Sequence, residues 1–269
     1  MTSGHFLKDD GSPVPCVSFQ QLQQIFSTLQ EDHFLSSAQF AEGPGYSFAM
    51  VVRFALGLSA EGGLVCAIVR DTIPGAIALS CLRHLVNGGA EAVVLVIEED
   101  PSQEPTVIAN ALKTVQSYGV NVEHWTSSEQ NPLVQGVLGQ CHNVLFGTTS
   151  IKTPDFKTTN FKTPEPPSEL MNGAVSLLNE MSTPVHCIVA PQGFDLASGE
   201  KNGEYLYASS TLSLGAPLEP LLQREDLLGR HYLADLSIPL STYQKLLPDC
   251  PPPFSEQPVV ALHKASAES

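Results

Sequence analysis

Short runs of aliphatic and β-branched residues alternate with stretches of helical spacing from residue 64 to residue 189. Leu64–Val69, Glu91–Ile97, Val120–His124, Asn143–Phe146 and Val185–Val189 read as strands. Pro74 suits the first turn of a helix running to about Val86, which Asn87-Gly88-Gly89 ends. Val107, Ile108, Ala111, Leu112 and Val115 give residues 104–118 an amphipathic helical period, and a further helix covers about 167–181. Strands and helices alternating in this way predict an α/β fold.

The flanks extend this plan. Residues 1–13 read as a flexible polar lead. Ser18, with Gln21 in capping-box position, starts a helix whose buried face is Leu22, Ile25, Phe26 and Leu29. A second helix covers roughly 46–57 and Gly57 ends it. Beyond the alternating region, Tyr205–Leu214 and Arg230–Leu236 look like strands, and Pro239 starts a short helix to Leu247. Val259–Leu262 reads as a final edge strand after the proline-rich stretch Pro248–Pro253. The expectation is one domain over 14–264 with a short tail at 265–269, built as a Rossmann-like three-layer sandwich. Its central sheet is mostly parallel, with helices on both faces. The loop at 151–167 repeats Phe-Lys-Thr and carries Lys152, Lys157 and Lys162. It is long for a compact domain. Thr153-Pro154 and Thr163-Pro164 within it have the form of proline-directed phosphorylation sites.

Charge narrows the partners. Thirteen basic against 28 acidic residues give −15, which disfavours direct binding to nucleic acid or to anionic membranes. No apolar run approaches the roughly 18 residues of a transmembrane helix. The first thirty residues lack the basic start and apolar core of a signal peptide. The six cysteines show no metal-ligand spacing and read as buried, reduced thiols of a cytoplasmic protein. The histidines lack i, i+4 pairs, so neither a metal nor a cofactor is expected.

The segment 185–199, Val-His-Cys-Ile-Val-Ala-Pro-Gln-Gly-Phe-Asp-Leu-Ala-Ser-Gly, has the form of a strand delivering a loop to the rim of a sheet. α/β enzymes place reacting groups there, yet the position suited to a carboxylate base is Val189. The turn after the first strand of the alternating region, Arg70-Asp71-Thr72-Ile73-Pro74-Gly75-Ala76-Ile77-Ala78, sits where phosphate would bind. It holds one glycine, and Ile73 and Ile77 crowd any close backbone approach. Arg83-His84, late in the following helix, reads as a dipole or surface pair. No Gly-x-Ser-x-Gly elbow is present.

Five stretches in order resemble the YjeF N-terminal domain family over about residues 13–264. They are Val-Pro-Cys-Val-Ser at 14–18, Leu-Ser-Cys-Leu-Arg-His-Leu at 79–85 and Asn-Val-Leu-Phe-Gly-Thr-Thr at 143–149. The others are Val-Ala-Pro-Gln-Gly-Phe-Asp-Leu-Ala-Ser-Gly at 189–199 and Leu-Gly-Arg-His-Tyr-Leu-Ala-Asp-Leu-Ser-Ile-Pro at 228–239. That family includes NAD(P)HX epimerases and a branch found in the enhancer-of-mRNA-decapping scaffold. The resemblance places the epimerase phosphate loop at Ile73–Ala78, the cation ligands at Ile73 and Asn143, and the catalytic Asp at Val189. It therefore implies a degenerate site with no catalytic residue. The residues left to line a pocket are Asp71, Thr72, Gly75, Asn143, Gly147, Gln192 and Asp195. The decapping branch implies a homodimerising scaffold module for mRNA-decapping factors in processing bodies. The alternatives are a nucleotide or metabolite sensor, a residual epimerase-type isomerase, or altered chemistry recruiting Asp71, Asp195 or Asp235. Phe19, Phe26, Phe34, Phe40, Phe48 and Phe54, six of twelve phenylalanines, mark the N-terminal helical pair as the dimer surface.

Overall fold

The structure is a computed structural model and describes residues 4–58, 63–100, 102–150, 167–247 and 253–264. Of the loop at 151–167 only Pro167 falls within them; both Thr-Pro pairs, Pro248–Pro252 and the tail at 265–269 lie outside the described residues. The chain opens with β1 (His5–Leu7), β2 (Pro13–Pro15), α1 (Phe19–Glu31) and α2 (Ser37–Phe54). The alternating region follows as β3 (Leu64–Val69), α3 (Ile73–Asn87), β4 (Glu91–Ile97), α4 (Ala109–Ser117), β5 (Asn121–Trp125), α5 (Asn131–Leu138), β6 (Asn143–Gly147), α6 (Glu169–Glu180) and β7 (Val185–Ile188). A small hairpin, β8 (Gly193–Phe194) and β9 (Lys201–Asn202), leads to β10 (Ser210–Leu214), α7 (Glu225–Leu228), β11 (Arg230–Ala234), α8 (Leu240–Leu246) and β12 (Val259–Lys264).

One ten-stranded sheet has the order β2-β1-β12-β11-β10-β7-β6-β3-β4-β5. The strands from β11 to β5 are mutually parallel. Alternate residues of the parallel strands enter separate cores. Val65, Ala67 and Val69 of β3 join a cluster with residues of α1, α2, α3 and α4, whereas Cys66 and Ile68 join another with residues of α5 and α6. Burial on both faces explains why these strands read as near-continuous apolar runs. The α/β, Rossmann-like three-layer arrangement is the one the alternating pattern predicts.

The flanks depart from the sequence reading. The expected loose lead at 1–13 contributes β1, and β2 starts at its last residue; both extend the sheet antiparallel through β12. Phe6 is 1% exposed, and burying such a side chain contributes about 1.5–3 kcal/mol, enough to fix a short hairpin. Val259–Leu262 is accordingly no edge strand: β12 lies between β11 and β1. The second helix begins at Ser37 rather than 46, because Ser36 and Gln39 form a capping box ahead of the Gly43-Pro44-Gly45 stretch. Burial of Phe40, Ala41, Phe48, Ala49 and Val52 outweighs the helix-breaking residues. Helix α4 starts at Ala109 rather than 104, since a side chain from elsewhere takes up the preceding N–H groups. Helix α5 went unread, being short, with Val134 and Leu138 as its buried residues.

The six-phenylalanine surface also divides. Phe19, Phe26, Phe40 and Phe48 are buried in the core, leaving Phe34 at 85% and Phe54 at 81% exposure. The helix spacing of the four puts them on the inward faces of α1 and α2. Among the described residues, no helix is long and apolar enough to cross a membrane.

Candidate functional site

Strand order reverses between β3 and β6, since β4 and β5 build outward on one side of β3 and β6 returns to the other. Ligands of open α/β sheets bind outside the carboxyl ends of the strands at such a point. Here that point is flanked by Arg70-Asp71-Thr72 after β3 and by Gly147 at the end of β6.

The switch point is packed shut by the chain itself. Thr72 caps α3, its Oγ1 accepting from Gly75 N at 3.2 Å. A Cβ on Gly75 would lie 2.2 Å from the Arg70 carbonyl oxygen, and one on Gly147 would lie 2.5 Å from that of Pro74. The two glycines thus let the first turn of α3 press onto the ends of β3 and β6. Every residue from Thr72 to Ser80 is buried, with Ile73 and Ile77 at 0% exposure. Backbone and aliphatic side chains fill the space that a phosphate loop keeps open.

Asp71 is exposed and directed elsewhere. One carboxylate oxygen accepts from Thr106 N and Oγ1 at 2.9 and 3.1 Å; the other accepts from Val107 N and Ile108 N at 2.8 and 2.9 Å. It ties down the backbone of the three residues that lead into α4, from a loop distant in sequence.

On the next strand, Val189 follows β7 at φ 75°, a left-handed conformation that a β-branched residue rarely adopts. Thr149 lies beneath it: its Oγ1 is 3.2 Å from the Ile188 carbonyl and 3.1 Å from that of Ala190, so its one proton is shared between two carbonyls of the turn. Val189 N donates to Leu212 O at 2.7 Å, and Val189 and Ala190 are 1% and 0% exposed. The loop therefore retains a strained backbone with an apolar side chain turned into the core. Gln192 donates to Thr148 Oγ1 at 3.1 Å. Asp195 accepts from Ala197 N and Ser198 N at 2.9 and 2.7 Å, shaping the turn before Gly199.

Asn143 does not reach this end of the sheet. It begins β6, four residues of strand before Gly147, or about 13 Å away. Its Oδ1 lies 2.7 Å from His186 Nε2, and His186 Nδ1 lies 2.9 Å from Ser210 Oγ. Burial pushes the His186 pKa down to about 4, so the ring is neutral. Donating through Nε2 to Asn143 and accepting at Nδ1 from Ser210 then satisfies both ring nitrogens. This is a buried polar bridge across β6, β7 and β10, and it corrects the reading of Asn143 as a pocket ligand. A second buried histidine, His231, lies 2.8 Å from Ser213 Oγ through Nε2, with its pKa pushed down to about 3 by burial.

The recruitable carboxylates do not converge. Asp235 follows β11, four strand spacings or about 19 Å from the end of β3 where Asp71 sits. Burial raises its pKa, while Ser237 N at 2.7 Å donates to it. Arg83 and His84 likewise serve packing between helices: both pair with Glu42 of α2, His84 Nε2 at 2.9 Å, and Ser80 Oγ donates to the same carboxylate at 2.9 Å. The described cysteines, Cys16, Cys66, Cys81, Cys141 and Cys187, are buried free thiols. Sequence reasoning missed the Asn143–His186–Ser210 bridge; three polar residues inside apolar strands were its visible signal.

The model of the YjeF-related protein N-terminus family matches residues 37–219. The crystal structure of the yeast protein ynu0 (YNL200c) superposes with a TM-score of 0.72 at 20% identity, covering 94% of this chain and 100% of that one. A putative aspartate carbamoyltransferase from Leishmania major aligns at a TM-score of 0.33 and 14% identity, over 55% of this chain and 45% of its own. The tetrameric eIF2B-beta2-delta2 complex from C. thermophilum aligns at 0.36 and 16%, over 71% of this chain and 53% of its own. No curated protein matches the sequence significantly.

Proposed function

Because the chain belongs to the family of YjeF-related protein N-termini, we propose that it is a catalytically silent member acting as a self-associating scaffold module. The assembly context that its motifs suggest is mRNA decapping. One observation supports the loss of catalysis: the positions corresponding to the phosphate loop form the buried first turns of α3, and the position corresponding to the base is a buried valine. A general base alone accounts for about 10²–10⁴ in rate, and Val189 has no proton acceptor to offer. Positioning of the substrate, commonly the larger contribution, requires an open cleft. Retention of the costly backbone at Val189 supports descent from a working loop that is now architecture.

Purified protein assayed with NAD(P)HX is expected to show no epimerisation above the spontaneous rate. Calorimetry against a panel of nucleotides is expected to give no heat of binding. Saturable binding in that experiment would favour a nucleotide sensor instead, and turnover would restore the isomerase reading. Sedimentation velocity is expected to show a dimer, and a monomer at tens of micromolar would remove the scaffold reading. Binding to purified decapping factors is the further expectation.

A further inference from the structure

Two cysteines lie against each other at the amino ends of β3 and β6. The Cys66 side chain hydrogen-bonds that of Cys141, and both join the core cluster that holds Val134 and Leu138 of α5. Backbone bonds fix the pair. His142 N donates to Leu64 O at 2.8 Å, Leu64 N donates to His142 Nδ1 at 3.1 Å, and Cys141 N donates to Leu138 O at 3.0 Å. Cys141 is thus pinned between the end of α5 and the start of β3, beside Cys66.

The two thiols differ. Cys66 is 0% exposed, whereas Cys141, at 8%, is the most exposed of the described cysteines. Cys141 Sγ donates to Val137 O at 3.3 Å, which leaves its sulfur to accept from the Cys66 thiol. That hydrogen bond holds the Cys141 thiol below its ordinary pKa, while burial pushes Cys16, Cys66, Cys81 and Cys187 up. Thiolate character and access decide which sulfur meets an oxidant, and both favour Cys141.

We propose that Cys66 and Cys141 form a peroxide-sensitive thiol pair, Cys141 being oxidised first and Cys66 resolving it into a disulfide. The Cys141 thiolate attacks one oxygen of a hydroperoxide. The O–O bond breaks, the other oxygen leaves as water or an alcohol after taking up a proton, and Cys141 becomes a sulfenic acid. The Cys66 sulfur then displaces the hydroxyl, which leaves as water with the Cys66 proton. The two sulfurs together give two electrons to the peroxide. The new bond closes residues 67–140 into a loop and staples the exit of α5 to β3. The pair lies at the opposite end of β3 and β6 from the switch point, so it stands whether or not that cleft is catalytic.

The full chain treated with hydrogen peroxide, alkylated under denaturing conditions and mapped by mass spectrometry tests this. A linked Cys66–Cys141 peptide is expected as the main product, reversed by dithiothreitol. Cys141→Ser is expected to slow oxidation of Cys66 at least about tenfold, and Cys66→Ala to leave Cys141 as a sulfenic acid that dimedone traps. Circular dichroism confirms folding, and the wild-type map decides alone if either variant is misfolded. The oxidised chain is expected to unfold at higher urea than the reduced one, because the bond restricts the unfolded chain. Free Cys66 and Cys141 thiols after treatment, or a different cysteine pair as the main product, overturn the proposal. Oxidation of Cys81 or Cys187 as fast as that of Cys141 also overturns it.

Discussion

Replacing Val189 with Asp puts a carboxylate back where the resembling epimerases carry their base, and three contributions set the outcome. The backbone at φ 75° costs an L-residue about 1–2 kcal/mol, less for Asp, so the exchange recovers about 1 kcal/mol. Val189 is 1% exposed, and losing its burial costs about 2 kcal/mol. A carboxyl group in the same place has its pKa raised by about 3 units, which costs about 4 kcal/mol at pH 7. The net loss is about 5 kcal/mol, a large share of a typical domain's stability. The sign with pH is fixed. A raised carboxyl pKa means the folded state holds a proton that the unfolded chain has released. The deficit therefore shrinks by about 1.4 kcal/mol per unit as pH falls from 7 towards 5. Urea denaturation of both proteins at pH 5, 6 and 7 measures this, since effects common to both cancel in the difference. A deficit below about 1 kcal/mol that does not change with pH would refute the reasoning, because it would mean the side chain reaches water. Recovered epimerisation of NAD(P)HX by Val189→Asp would refute it more directly.

Other outcomes follow from the same geometry. Asp71→Ala is expected to lower stability by about 1–3 kcal/mol through loss of its bonds to the Thr106, Val107 and Ile108 backbone, and Asp71→Asn by about half as much, since one oxygen acceptor remains; an unchanged urea midpoint in Asp71→Ala would show that this anchor is dispensable. Gly147→Ala is expected to cost more than about 2 kcal/mol, because its Cβ meets the Pro74 backbone at 2.5 Å, and thermal melts will read this. The folded pKa values of His186 and His231, about 4 and about 3, lie below the ordinary 6.5. Their contribution is complete above pH 6.5 and falls, by about 1.4 kcal/mol per unit for each ring, as pH drops towards those values. Urea midpoints that hold steady from pH 7 to 4.5 would contradict this.

The parallel core was legible because its strands are buried on both faces, so the residues of β3, and of β4 after Glu91, are apolar whichever way they point. The cap at Ser18 was legible for a similar reason: a capping box closes within four residues of chain. The first helix could therefore be read to its buried residues, whereas the start of α2 was obscured by Gly43-Pro44-Gly45. That Val189 carries no proton acceptor was visible as a residue type, and Ile73 and Ile77 showed the turn after β3 to be crowded.

Other features depend on partners distant in sequence. Asp71 looked like a ligand until Thr106, Val107 and Ile108 arrived 35 or more residues later to take up its carboxylate. Asn143 looked like a cation ligand until His186, 43 residues on, claimed its oxygen at the opposite end of the strand. Residues 1–13 looked loose because three-residue strands carry almost no periodic signal, and only docking on β12 makes β1 and β2 part of a sheet. Sequence by itself determined which segments are apolar enough to bury and which side-chain chemistry each position offers. Tertiary structure alone decided what each polar side chain binds, because a hydrogen-bond acceptor is committed by whichever donor the fold brings within about 3 Å.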